Sequence, residues 1–211
     1  MRAEPLGDCA YILRDLPMPA YELAEMLNAQ PMQGLVEAVA SYDTVGLYIE
    51  PFAFDIDQVT GQRVRSSAPR KPRLHTIPVC YSLGADIESV CESLSLSETE
   101  LVELHSSLAY RCYAVGFCPG FGYLGYLPPG LSGVPRRPSP RTRVEPGSVA
   151  ITGNQTAVYP LERPGGWALI GKTPLCLVDV EEGYFPITAG DEVRFHPIAV
   201  EEFEARKGER L

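Results

Sequence analysis

Between Gly116 and Pro174 the chain carries 11 of its 19 glycines and 10 of its 20 prolines. Glycine accepts positive-φ backbone that a Cβ disfavours, and proline fixes φ and removes a donor, so a segment this dense in both cannot hold a long helix. It turns repeatedly between short extended pieces. The apolar runs in and around it cover residues 110–117, 148–151, 157–159, 167–171, 175–180 and 192–195. Many short strands with frequent turn signals predict a sandwich or a barrel, and a barrel is the preferred reading.

Ahead of that segment the pattern is mixed. Residues 8–16 hold an apolar run suited to a buried strand, and Leu23, Met26 and Leu27 share one helix face until Pro31 and Gly34 end it. Residues 35–40 and 45–50 are β-prone and are separated by the hairpin punctuation Ser41 to Thr44. A short helix over 52–59 and a proline-broken loop over 63–73 follow, then a strand over 74–81. The loop's cations, Arg63, Arg65, Arg70, Lys71 and Arg73, suit a solvated charge run or an acidic partner. The order β, α, β, β, α, β predicts a ferredoxin-like α+β domain over 1–83.

A second domain is predicted over 84–211. It opens with helices over 86–94 and 97–106, the latter headed by Ser97 and Glu100 at the spacing of a capping box. The fold class expected is therefore an α+β N-terminal domain followed by a mainly-β barrel.

The formal net charge of −9 and pI near 4.9 argue against a sequence-independent grip on phosphate backbones, so nucleic acid is not an expected partner. No apolar run approaches the ~20 residues of a membrane span, and Met1 to Asp8 contain no apolar signal core. A cytoplasmic protein without membrane contact is expected. The six cysteines include no Cys-x-x-Cys pair and the three histidines are scattered, so neither a metal cage nor a disulfide framework is predicted.

Several residues nevertheless invite chemistry. His105, at the end of the capped helix, suits a general acid or base near neutral pH, or a cation complementing the helix dipole. Cys118 lacks an adjacent base to activate it and reads as a spectator thiol. Arg136, Arg137, Arg141 and Arg143 lie within eight positions, as forks for an anion or as partners of the chain's own carboxylates. Lys172 follows Gly171 and precedes Thr173, but Pro174 and a strand replace the helix that a phosphate-binding loop requires. Gln155 and Thr156 leave a tight turn after Asn154. Trp167, the sole tryptophan, serves equally as core or as pocket wall.

Longer motifs narrow these choices. The stretches Gly116 to Leu124, Pro140 to Val149, Gln155-Thr156 with Tyr159-Pro160, Pro164 to Trp167 and Ile170 to Thr173 resemble the KipI family. That family includes the B-type component of the bacterial ATP-dependent 5-oxoprolinase and, as allophanate hydrolase subunit 1, the first half of carboxyltransferase domains. Gly7-Asp8, Ile77 to Tyr81, His105 with Tyr110-Arg111, and Gly190 to Phe195 extend the resemblance over nearly the whole chain. Ser82-Leu83 and the basic stretch at 63–73 depart from it.

The resemblance implies an N-terminal α+β domain and a cyclophilin-like β-barrel, although such a barrel does not by itself imply prolyl isomerisation. It further implies a heteromeric enzyme in which an ATP-using A-type subunit activates the lactam of 5-oxoproline and a C-type carboxyltransferase-like partner helps open it to glutamate. ATP is expected at the level of the complex, with none bound by this chain. His105, for proton transfer, and Lys172 are the catalytic positions implied. Phe117, Pro119, Gly120, Phe121, Tyr123, Arg141, Arg143, Gln155 and Trp167 are the substrate-binding ones. Within the same family, half of a biotin-dependent carboxyltransferase and an inhibitor of a histidine kinase are the alternatives.

Overall fold

The computed structural model describes residues 1–61 and 71–211. Most of the basic stretch read as a loop lies outside the described residues; Lys71 and Arg73 lie within them. The chain parts into two compact units, Met1–Pro72 and Arg73–Leu211. Both are built mainly from antiparallel strands with a few helices.

In the first unit, β1 (Arg2–Pro5), β2 (Ala10–Arg14), β3 (Leu35–Ser41) and β4 (Thr44–Ile49) form an antiparallel sheet in the order β1-β2-β4-β3. The hairpin expected at Ser41 to Thr44 is there: the two residues pair, and Tyr42 takes φ +56°, as a two-residue turn requires. Helix α1 (Ala20–Asn28) packs on β3 and β4, burying Leu23, Met26 and Leu27, the face set by their three- and four-residue spacing. Asn28 ties its end to β3, donating to the Ala38 carbonyl at 2.8 Å and accepting from the Ala38 amide at 2.7 Å. A one-turn helix, α2 (Asp57–Thr60), follows.

A ferredoxin-like unit would need the strand after α2 to return to this sheet. That strand, β5 (Leu74–Val79), pairs in parallel instead with β13 (Glu192–Pro197). Its six-residue ladder draws the boundary forward from the expected Leu83 to Pro72.

The second unit adds α3 (Ile87–Leu94), α4 (Glu98–Ser106), β6 (Ala109–Val115) and β7 (Gly122–Gly125). Next come β8 (Arg141–Val144), β9 (Ser148–Thr152), β10 (Gln155–Val158), β11 (Arg163–Gly165), β12 (Ala168–Lys172) and, after β13, α5 (Val200–Ala205). The strand path is β5-β13-β6-β7-β10-β9-β12, and β8 with β11 forms a separate ribbon. Among the described residues no ladder joins β12 to β5, so the expected barrel is not closed. Lys172 and Cys80 are linked by two backbone hydrogen bonds, an isolated bridge.

This sheet is covered on both faces. Val149 and Ile151 enter one apolar cluster with Leu101, Tyr110, Ile170 and Phe195, whereas Ala150 enters another with Phe121, Tyr159 and Trp167. That is why β9 is buried at every position and reads as a continuous apolar run. The predicted capping box heads α4: Ser97 Oγ accepts from the Glu100 amide at 3.2 Å, and Glu100 Oε2 accepts from the Ser97 amide at 2.8 Å.

Candidate functional site

The loop between β6 and β7 is tied by three backbone bonds: Gly116 N–H to the Phe121 carbonyl, Cys118 N–H to Gly116, and Phe121 N–H to Cys118. Phe117 and Gly120 both hold positive φ, +67° and +73°. At Gly120 a Cβ would come within 2.2 Å of Val178 Cγ1, so the position is closed to side chains on two counts. This geometry lifts the Phe117 ring to 57% exposure and sends Phe121 inward to 2%.

Phe121 is the hub of an aromatic cluster. Its ring centroid lies 5.3 Å from Phe117, 5.3 Å from Tyr159, 5.0 Å from Tyr123 and 5.7 Å from Trp167, all edge-to-face. Such contacts add about 0.5–1.5 kcal/mol each beyond area burial, enough to fix the rings as a rigid wall. The Arg136 guanidinium sits 6.0 Å from the Trp167 ring centre. Trp167 is itself only 5% exposed, so it is core and wall backing together.

Two of the four arginines converge on the chain's own Asp86 rather than all four on a ligand. Arg141 donates to Asp86 Oδ1 at 2.6 Å and Arg137 to the same oxygen at 3.1 Å, while Oδ2 accepts from the Leu169 amide at 2.7 Å. Asp86 is buried and holds the segment before β8 against β12. Arg143, expected beside Arg141 on a ligand, makes an exposed pair with Glu162 at 2.7 Å. Nη1 of Arg141 is buried with no hydrogen-bond partner among the described residues.

His105 is fully buried, with Nδ1 2.7 Å from the Tyr81 hydroxyl and Nε2 2.9 Å from Thr156 Oγ1. Thr156 donates its own proton to the Ala150 carbonyl at 3.1 Å. It must therefore accept from Nε2–H, which leaves Nδ1 to accept from Tyr81. The ring also stacks on Phe195 at 4.5 Å. Burial pushes this imidazole down to about 3 and pushes the Tyr81 phenol up. Both ring nitrogens are occupied and the ring is fully buried, a geometry that suits a structural imidazole.

Lys172 ends β12 and its ammonium pairs with Glu145, which holds that carboxyl below the usual range. Five strand steps separate it from Trp167, roughly 16 Å along an extended chain, so these two predicted site residues are not brought together. Gln155 opens β10 opposite Gly125 and Thr152 and is half-buried. Pro119 lies between Phe117 and Gly120 in the tied loop. The Cys118 thiol is buried and pushed up by desolvation, consistent with a spectator. Among the described residues no group of three or more His, Cys, Asp or Glu could hold a metal, and no helix is long and apolar enough to cross a membrane.

Two residues of consequence escape a reading of the sequence. Asp86 precedes α3 as a helix cap would, but its side chain makes no cap bond and reaches across sequence to Arg137 and Arg141. Tyr159 stands out there only through its neighbour Pro160.

The tied loop and aromatic wall fall within residues 3–185, which match the family described as carboxyltransferase domain, subdomain C and D. The chain belongs to this family. It is 32% identical to the 5-oxoprolinase B subunit of Bacillus subtilis (strain 168), over 98% of this chain and 96% of that protein. It is 40% identical to the 5-oxoprolinase B subunit of Escherichia coli O157:H7, over 84% of each. Among solved structures, TTHA0988 superimposes with a TM-score of 0.81 at 35% identity, covering 90% of this chain. This family member spans only 40% of the TTHA0988 chain.

Proposed function

We propose that this chain is the B-type component of a 5-oxoprolinase, acting with a C-type carboxyltransferase-like partner and an ATP-using A-type subunit to open 5-oxoproline to glutamate. The observation that carries the reading is end-to-end similarity to proteins named as the B subunit of 5-oxoprolinase, at 32% identity over 96% of the Bacillus subtilis protein. A designation of that kind implies a complex. The net reaction adds water across the lactam C–N bond, whose carbonyl carbon is a poor electrophile until its oxygen is activated.

Within that complex this chain supplies a wall. Phe117 and Tyr123, backed by the buried rings of Phe121 and Trp167, offer a rigid apolar surface that excludes water on one side of a bound ring. Gln155 is the residue assigned to contact the lactam, and the Arg136 guanidinium lies 6.0 Å from the Trp167 ring centre. The Gly171-Lys172-Thr173 stretch does not form a phosphate loop, because Pro174 follows where such a loop needs a helix. ATP is accordingly assigned to the A-type subunit. The second unit is read as an incompletely closed relative of a cyclophilin-like barrel, and the protein as cytoplasmic.

The family's carboxyltransferase description favours one rival, half of a biotin-dependent carboxyltransferase. Isolation of the native complex separates the two. We expect copurification of C-type and ATP-using subunits and ATP-dependent release of glutamate from 5-oxoproline. Biotin covalently held in the complex, with no glutamate released, would replace this reading by the rival; a histidine kinase as sole partner would replace both.

A further inference from the structure

A cavity of about 580 Å³ lies in the second unit at the Lys172 end of β12, away from the aromatic wall. Its apolar lining includes Leu83, Leu175 and Phe203. Pro146, Pro160 and Pro174, whose φ angles are fixed, stiffen the lining. The lining also includes the donors Lys172, Thr173 and Lys207, and the carboxylate of Glu204, which pairs with Lys207.

Each donor has capacity left. Lys172 is paired with Glu145 and Lys207 with Glu204, one carboxylate for an ammonium that carries three N–H groups. Lys207 also lies 5.5 Å from the Phe203 ring centre, which draws its charge over the apolar floor. Thr173 is buried, and its oxygen accepts a long bond from the Leu175 amide at 3.4 Å, leaving the hydroxyl proton to give. Backbone contacts hold the walls: Gly208 N–H donates to the Pro174 carbonyl at 3.0 Å, Cys176 N–H to Glu209 at 2.7 Å and Thr173 N–H to Gly147 at 2.8 Å.

We propose that this cavity is a second binding site, for an amphipathic small anion whose acidic head meets Lys172, Thr173 and Lys207 and whose apolar body lies on Leu83, Leu175 and Phe203. Its volume is in the range of sites for metabolite-sized ligands and exceeds what a five-membered lactam acid fills. The site is therefore distinct from the wall assigned to 5-oxoproline, and it gives Lys172 a role that does not depend on that assignment.

The test is a fluorescence titration of the intact chain with 8-anilinonaphthalene-1-sulfonate, with octanoate and inorganic phosphate as competitors. One saturable site is expected, displaced by octanoate but not by phosphate, which lacks the apolar body. Lys207→Gln and Thr173→Val should each weaken binding about fivefold, as loss of one hydrogen bond would. Phe117→Ala, at the exposed aromatic loop, should leave binding unchanged. Wild-type affinity in Lys207→Gln, displacement by phosphate alone, or loss of binding in Phe117→Ala would each overturn the proposal. Lys207 lies just beyond α5 on the surface, so its variant decides the matter even if Thr173→Val does not fold.

Discussion

His105 lies fully buried, with both ring nitrogens hydrogen-bonded inside the core. An imidazole in an unfolded chain takes up a proton near pH 6.5, whereas His105 in the fold resists protonation down to about 3. Its contribution to stability is thus intact above pH 6.5 and declines as pH falls through the window toward 3, by about 1.4 kcal/mol per unit. His105→Gln, which cannot titrate, should be less stable at pH 7 by about 2 kcal/mol through lost bonds to Tyr81 and Thr156. Urea unfolding at pH 7 and pH 5 should show that deficit shrinking with acidity, and a constant deficit would refute the neutral buried imidazole. Turnover of a complex carrying the variant should survive at temperatures where it stays folded, whereas loss of a general base costs about 10²- to 10⁴-fold.

At the scale of elements, what can be read in advance is what neighbours in sequence decide. The capping box of α4, the α1 face and the Ser41–Thr44 hairpin are all local, and all formed. Strand β8 is not legible, because Arg141, Thr142 and Arg143 show no apolar alternation and pair with the short β11 only through a bulged register. Residues 175–180, which read as a strand, are held instead by single bridges from Cys176 to Arg210 and from Asp179 to Tyr184. Asp86 is hidden for the same physical reason: three partners between positions 137 and 169 define it, and none is near it in sequence. Removing its charge leaves Arg141 and Arg137 without their shared carboxylate, so Asp86→Asn should cost about 3 kcal/mol, the scale of breaking a buried ion pair. Arg143→Gln, which breaks only an exposed pair, should change the melting temperature little. Equal shifts in the two variants would mean that Asp86 does not fasten the β8 segment to β12.

For the whole molecule, the turn-dense stretch foretells short strands and a site made from loops, and both the loop at 116–121 and its aromatic wall follow from it. The meeting of β5 with β13, over more than a hundred residues of intervening chain, could not be foretold, since no local pattern names a strand's partner. The residues expected to act together are dispersed for a related reason. His105 is held by Tyr81 and Thr156, Arg141 by Asp86, and Lys172 pairs with Glu145; of the three, Arg141 lies beside the wall, pairing with Gly165 next to Tyr159, and its carboxylate partner is the chain's own. The isolated chain should therefore release no glutamate from 5-oxoproline, with or without ATP. Trp167 gives a direct readout, being the sole tryptophan and part of that wall. Its emission should stay unchanged when 5-oxoproline is added to the chain alone and should respond to the same addition in the assembled complex. Glutamate release by the isolated chain would place the full catalytic set on these 211 residues and overturn the division of labour argued from their pairings.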